Sequence, residues 1–313
     1  MTHSLFRSPD QSPDLARTAL VSGGTSGIGR ATALKLAQQG MKVVITGRDA
    51  ARAEEALAIL RRDSGNPAVF ALIANHAEPG QVLRLAQTFG QHNQRLDVLV
   101  NNVGGNFSAR KVGEEGFERT WALNHLSYVQ LTLILLPLLH ASAPARIVNV
   151  ASFYYGNTIR FDDLQGARNW NGNTAYLQSK LANLLFTYAL ARRLAGTGLT
   201  VNAVNPGRVD TGINRELTGP ARWLDAAVFQ RLKKTPAQGA AGVVAMASDP
   251  AVDGISGRYV DRTRFKLTRP ITQDQGLQEQ LWRVTLEQLG LNEPDWAALT
   301  LNAAGSVETG HET

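Results

Sequence analysis

The sequence predicts an α/β fold built on a doubly wound parallel sheet. Three observations carry that expectation. Short β-branched runs alternate with helical patterns from Thr18 onward, the runs are almost continuously apolar, and a glycine-rich turn stands where the first run meets the first helix. Parallel neighbours need a crossover connection, so alternation of this kind implies βαβ units. Runs without polar alternation, such as Val98-Leu99-Val100 and Ile147-Val148-Asn149-Val150, imply strands covered by helices on both faces.

In chain order, strands are expected at Thr18 to Ser22, Lys42 to Thr46, Ala68 to Ile73, Asp97 to Asn101, Arg146 to Ala151 and Thr200 to Asn205. Gly29 to Gln39 and Ala50 to Arg62 carry apolar residues at helical spacing among good helix formers and read as crossover helices. Past Val260 the alternation stops. Thr272 to Leu289, with Leu277, Leu281, Val284 and Leu289 at helical spacing, reads as a helix packed on the main domain. No Pro/Gly/Ser linker divides the chain, so it reads as a flexible arm over 1–16, one principal domain over 17–262, and a C-terminal helical extension and tail over 263–313.

At 313 residues the chain can bury a large core. The net charge of +6 comes from scattered Lys and Arg rather than a stripe or arm, which argues against a nucleic-acid partner. Zero cysteines exclude disulfides, thiolate metal sites and a cysteine nucleophile, and the six histidines lack metal-ligand spacing, so no metal is expected. The polar start lacks the apolar region of a secretory signal, and the longest apolar run, Leu131 to Leu139, is broken by Thr132 and Pro137. A soluble cytoplasmic protein without an integral membrane segment is the expectation.

The turn Val21-Ser22-Gly23-Gly24-Thr25-Ser26-Gly27-Ile28-Gly29 joins the first strand to the first helix. A pyrophosphate needs glycine there, because side chains block close backbone approach and a helix N-terminus offers free N–H groups to an anion. The spacing is Gly-x-x-x-Gly-x-Gly rather than Gly-x-Gly-x-x-Gly, and the motif alone also reads as a plain glycine-rich turn. The second strand ends Thr46-Gly47-Arg48 with no carboxylate at its tip to hold a ribose 2′-hydroxyl. Arg48 can instead fork onto a 2′-phosphate, which favours NADP(H) as cofactor. The alternative is a solvated helix-start arginine paired with Asp49 or Glu55.

Tyr176 and Lys180 lie one helical turn apart at the start of an apolar helical stretch. A phenol titrating near ~10 is a poor base at neutral pH, and a nearby ammonium together with an oxidised nicotinamide would favour its phenolate. Tyr-x-x-x-Lys alone is a weak pattern. Here it follows a strand that ends Val150-Ala151-Ser152, and no other of the six tyrosines has a lysine at this spacing.

With these motifs in this order, the chain resembles the short-chain dehydrogenases/reductases over roughly Thr18 to Val260, and within them the retinol-dehydrogenase-like branch. The resemblance rests on the glycine turn, Asn101-Asn102-Val103-Gly104, Asn124 in Leu123-Asn124-His125-Leu126, Ser152, Tyr176 with Lys180, and Asn205-Pro206-Gly207-Arg208-Val209-Asp210-Thr211. It implies a Rossmann-type domain in which Ser152 holds the substrate oxygen, Tyr176 exchanges its proton, and Lys180 tunes Tyr176 and binds the nicotinamide ribose. It further implies that Asn124 anchors a water linking Lys180 to solvent. Gly23, Thr25, Ser26, Gly27, Ile28 and Gly29 would bind the cofactor with Arg48 and Asn75; Asn102 and Gly104 would lie under its riboses; Pro206, Gly207, Val209 and Thr211 would face the nicotinamide. Assembly as a homodimer or homotetramer is also implied. On the residues alone, Ser152 reads equally as a turn cap and Asn124 as a helix amide bonding backbone.

Two departures from the family stand out: Val103 where alanine is usual, and Asn75 where many members have aspartate. The interval from Ser152 to Tyr176 is long for the family and reads as one wall of the substrate pocket or as surface decoration. Gly212 to Pro236, with Trp223, Leu224, Val228 and Phe229, falls at the family's substrate lid, and its apolar content points to a bulky, largely apolar carbonyl or alcohol or, alternatively, to simple packing of a surface helix. Two other functions keep the same scaffold, a cyclase, isomerase or dehydratase and a non-catalytic NADP(H) sensor. The intact set Asn124, Ser152, Tyr176 and Lys180 speaks against both.

Overall fold

The computed structural model describes residues 17–209 and 234–299. Its centre is an eight-stranded sheet in the order β3-β2-β1-β4-β5-β6-β7-β8. The strands are β1 (Thr18–Val21), β2 (Lys42–Gly47), β3 (Val69–Ile73), β4 (Val98–Asn101), β5 (Ala145–Val150), β6 (Leu199–Asn205), β7 (Tyr259–Asp261) and β8 (Arg264–Lys266). All pairs are parallel except β7 with β8. The chain winds outward from β1 to β3, then restarts at β4 on the other side. The β1/β4 boundary is therefore the switch point, where the flanking loops diverge and leave a crevice at the carboxyl ends of the strands.

Successive strand residues face opposite layers, as the pleat requires. Ala19, Val21, Val43 and Ile45 pack against α1 (Gly27–Gln38), α2 (Ala50–Ser64) and the helix Pro236–Ser248. Leu20, Val44, Leu99 and Ile147 pack against α3 (Pro79–His92), α5 (Ser127–Ile134), α6 (Leu136–Ala141) and α7 (Gly172–Arg193). Between α4 (Arg119–Trp121) and α5, Ala122–Leu126 forms a π-helical turn. The helices after α7 are α8, which is Pro236–Ser248, and α9 (Gln275–Leu289).

The six strands read from the sequence are present, within a residue or two at their ends. β7 and β8 were not foreseen: three residues are too few for a periodic signal, and β8 is exposed along its length. The boundary expected at 262 falls in the β7–β8 turn, where Arg262 adopts φ 64°. The expected helix over Thr272 to Leu289 is a short 3-10 turn, Pro270–Gln273, followed by α9, whose N-cap Asp274 accepts from the Leu277 N–H. α9 is part of the core. Trp282 stacks on Phe186 of α7 with ring centroids 5.7 Å apart, and the Arg193 guanidinium lies 4.1 Å from the indole centroid. Among the described residues no helix is long and apolar enough to cross a membrane, and no cluster of His, Asp and Glu is placed to hold a metal ion.

Candidate active site

The glycine turn sits at the switch point, between the end of β1 and the start of α1. Gly23 adopts φ +67°, which a side chain would strain, and its N–H donates to Thr46 Oγ1 at 3.1 Å. Gly29 must lack a side chain for a different reason: a Cβ there would lie 2.3 Å from the Gly23 carbonyl oxygen and 2.5 Å from Asn102 Nδ2. Asn102 closes the turn by donating to the Ser22 carbonyl at 2.8 Å. Thr25 packs against Gly47, Gly27 opens α1, and Ile28 is buried. Ser26 is the exposed N-cap of α1, and its side chain makes no capping bond, so the first-turn N–H groups face outward without a side-chain acceptor from it. A cradle shaped by absent side chains, at a helix N-terminus, fits a dinucleotide pyrophosphate.

Arg48 is exposed immediately after β2, next to Asp49, which caps α2 by accepting from the Arg52 N–H. Asn75 follows β3. Its amide oxygen accepts from the Ala77 N–H at 3.2 Å and its main-chain N–H donates to Gln81 Oε1 at 2.8 Å, so the side chain is tied into its own loop. Its neighbour His76 is buried beneath the glycine turn, with Nε2 2.7 Å from Thr46 Oγ1, and burial pulls its pKa down to about 4.

Across the switch point, the structure brings Asn124, Ser152, Tyr176 and Lys180 together. Ser152 lies two residues past the end of β5, and its Oγ accepts from the Tyr154 N–H at 3.0 Å. Tyr176, in the first turns of α7, lies near enough to Ser152 for that side chain to act on its phenol. Lys180 is buried; Nζ donates to the Val150 carbonyl at 3.2 Å and lies 5.8 Å from the ring centroids of both Tyr176 and Tyr128. Asn124 is fully buried in the π-helical turn, its side chain accepting from Gly105 N–H at 2.9 Å and donating to the Gly105 carbonyl and Ser179 Oγ at 3.0 Å each. Gly104 lies between them, for a Cβ there would meet Asn124 Oδ1 at 3.5 Å and Lys180 Nζ at 3.6 Å.

The Tyr176 phenol is pushed up, because burial outweighs the acidifying influence of Ser152. Burial also brings Lys180 down to about 8. Without a further positive charge beside it, the phenol is held as a proton donor.

Pro206 is buried at the end of β6, and Gly207 adopts φ 80° with its N–H bonded to Asn205 Oδ1. Val209 packs beside Ile28 over Gly239 of α8, so the β6 loop meets the glycine turn. Thr211 and the lid residues Trp223, Leu224, Val228 and Phe229 lie outside the described residues. The long Ser152–Tyr176 interval is anchored rather than loose: Arg269, from beyond β8, donates to the Gly156 carbonyl at 2.8 Å and also reaches the Tyr155 carbonyl and Asn157 Oδ1.

Several supporting residues carried no sequence signal. The Tyr128 hydroxyl donates to the Val103 carbonyl at 2.8 Å and so fixes the loop after β4. Tyr259 of β7 donates to the Ser152 carbonyl at 3.3 Å. Asn101, Asn149 and Thr187 form a buried amide–hydroxyl chain beneath the site. Each pairs residues far apart in the chain, where no local pattern registers them.

Residues 17–221 match the short chain dehydrogenase family. Retinol dehydrogenase 14 of Homo sapiens is 40% identical over 292 residues, covering 88% of this chain and 87% of its own length. A solved structure from Mycobacterium paratuberculosis superposes with a TM-score of 0.72 at 28% identity, over 90% of this chain and 97% of its own. The Pseudomonas aeruginosa RhlG/NADP active-site complex gives a TM-score of 0.61 at 30% identity, over 80% and 97%. Likeness of this extent places the chain in the short-chain dehydrogenase family, in its retinol-dehydrogenase-like branch, among oxidoreductases that act on alcohols and carbonyls.

Proposed function

We propose that this protein reduces the carbonyl of a bulky, largely apolar small molecule, or oxidises the corresponding alcohol, with NADP(H) as cofactor and Tyr176 as the general acid–base. The observation that carries this reading is the Tyr176 phenol beside Ser152, with the Lys180 ammonium buried one turn away, at the rim of the glycine cradle. Support for the 2′-phosphate comes from Arg48, exposed at the tip of β2 where NAD-binding sites place a carboxylate, and from the NADP bound to a structural relative. Support for an apolar substrate comes from Phe153 and Tyr154, exposed at 45% and 51% directly after Ser152, and from the retinol in a relative's name.

When bound, the dinucleotide would supply the hydride. The chain's own groups do the rest. Ser152 and Tyr176 together hold the substrate oxygen, and the raised phenol stays protonated until that oxygen gains charge, when it gives up its proton. Lys180 lies against the ring and stabilises the phenolate that remains. Asn124 fixes the floor beneath Lys180 through Gly105.

The test is steady-state turnover of all-trans-retinaldehyde and of a short hydrophilic aldehyde with NADPH or NADH, followed by loss of reduced-nicotinamide absorbance. NADPH-dependent reduction favouring retinaldehyde is the expected result. Product formation without a change in the dinucleotide would replace hydride transfer with isomerase or cyclase chemistry.

A further inference from the structure

A line of buried polar contacts runs from the C-terminal helix to the candidate catalytic residues. Thr285 of α9 places Oγ1 3.0 Å from His125 Nε2. The other ring nitrogen of His125 lies 3.3 Å from Asn183 Oδ1, and Asn183 Nδ2 donates to the main-chain carbonyl of Asn124 at 2.8 Å. From Asn124 the line continues through Ser179 Oγ, which donates to the Tyr176 carbonyl at 2.7 Å. Thr285, His125, Asn183 and Asn124 are all at most 1% exposed.

The donors and acceptors admit one consistent assignment. Asn183 spends its amide hydrogens on Asn124, so it turns its oxygen to His125, whose Nδ1 must carry the proton. Burial keeps the imidazole neutral, its pKa pulled down to about 4, so Nε2 is an acceptor and the Thr285 hydroxyl donates to it.

We infer that Thr285 and His125 are positioning residues for the reaction: through Asn183 they fix the Asn124 turn, and with it Gly105 and the floor under Lys180. The inference deepens the carbonyl-reduction reading and rests on it. It makes α9 part of the active site at a distance, because removing the Thr285 hydroxyl leaves a buried imidazole nitrogen without its donor and frees the ring to turn.

The full-length protein tests it as Thr285→Val, which keeps the shape and loses the hydroxyl, beside Thr285→Ser, which restores the hydroxyl. Two readouts are taken: turnover of all-trans-retinaldehyde with NADPH, and amide hydrogen exchange over 122–126 in the absence of cofactor. Thr285→Val should lower kcat roughly tenfold with KM for NADPH unchanged, and speed exchange over 122–126 but not in α2, while Thr285→Ser matches the wild type in both. Unchanged exchange and kcat in Thr285→Val, or equal losses in the two variants, overturns the inference. If the wild type reduces no carbonyl, the reading of the reaction fails, and the exchange comparison by itself decides the link.

Discussion

The two halves of the site lie along the carboxyl ends of one sheet's strands and are shaped by opposite means. Around β1 to β3 the cradle is made by what is missing: Gly29 approaches the Gly23 carbonyl where no Cβ fits, and the backbone itself presents the binding groups. Around β5 and α7 the arrangement is made by what is present, side chains holding other side chains and carbonyls across the fold, as Asn183 holds Asn124 and Tyr259 holds Ser152. A backbone device tolerates almost any substitution except the addition of bulk. A side-chain network tolerates bulk poorly too, but fails first when a donor or acceptor is lost.

If that contrast is right, damage to the two halves should read out differently. Tyr176→Phe removes a proton donor while keeping the ring, so kcat should fall about a thousandfold with NADPH affinity intact, within the usual worth of a general acid; retained turnover would take Tyr176 out of the mechanism. Acid should strain both halves together, since each buries one neutral histidine, His76 and His125, pulled from 6.5 down to about 4. The unfolded chain takes up those protons first, so stability is full above 6.5 and declines as pH falls toward 4, by roughly 3 kcal/mol for each histidine at the limit. Urea midpoints across that window check this, and a midpoint that does not move would show that the imidazoles accept protons in the folded state as readily as outside it.

Smaller effects separate the halves. Gly29→Ala should weaken NADPH binding roughly a hundredfold while leaving kcat at saturating cofactor nearly unchanged; a fluorescence titration measures it, and a parallel drop in saturated kcat would mean the halves are not independent. Arg48→Asp should shift the NADPH to NADH preference by roughly tenfold toward NADH, and an unaltered ratio of the two kcat/KM values would assign the 2′-phosphate to other groups.

The same contrast explains what the sequence disclosed. The glycine turn is contiguous, its spacing is dictated by backbone approach, and it can be read without knowing the fold. Tyr176 and Lys180 are legible because one helical turn is a local relation. Ser152 and Asn124 join them only through the order of motifs. His125, Asn183 and Thr285 were invisible as partners, since nothing local announces a contact between residues 160 positions apart. Likewise β7 and β8 are too short to produce a pattern, β8 is exposed besides, and the sheet supplies their pairing. The upward push on Tyr176 escaped the sequence because desolvation depends on everything packed around the ring.

The stacking of Trp282 on Phe186, with Arg193 tied to Glu279 and Glu293 over it, has a consequence for how this enzyme can be cut or inherited. Trimming the chain back to its family-shared portion would strip an aromatic lid from α7 and turn a dry interior face into a sticky exterior one. The smallest heritable unit is therefore longer than the shared signature, and a frameshift or protease acting well downstream of every reacting atom would still destroy the catalyst.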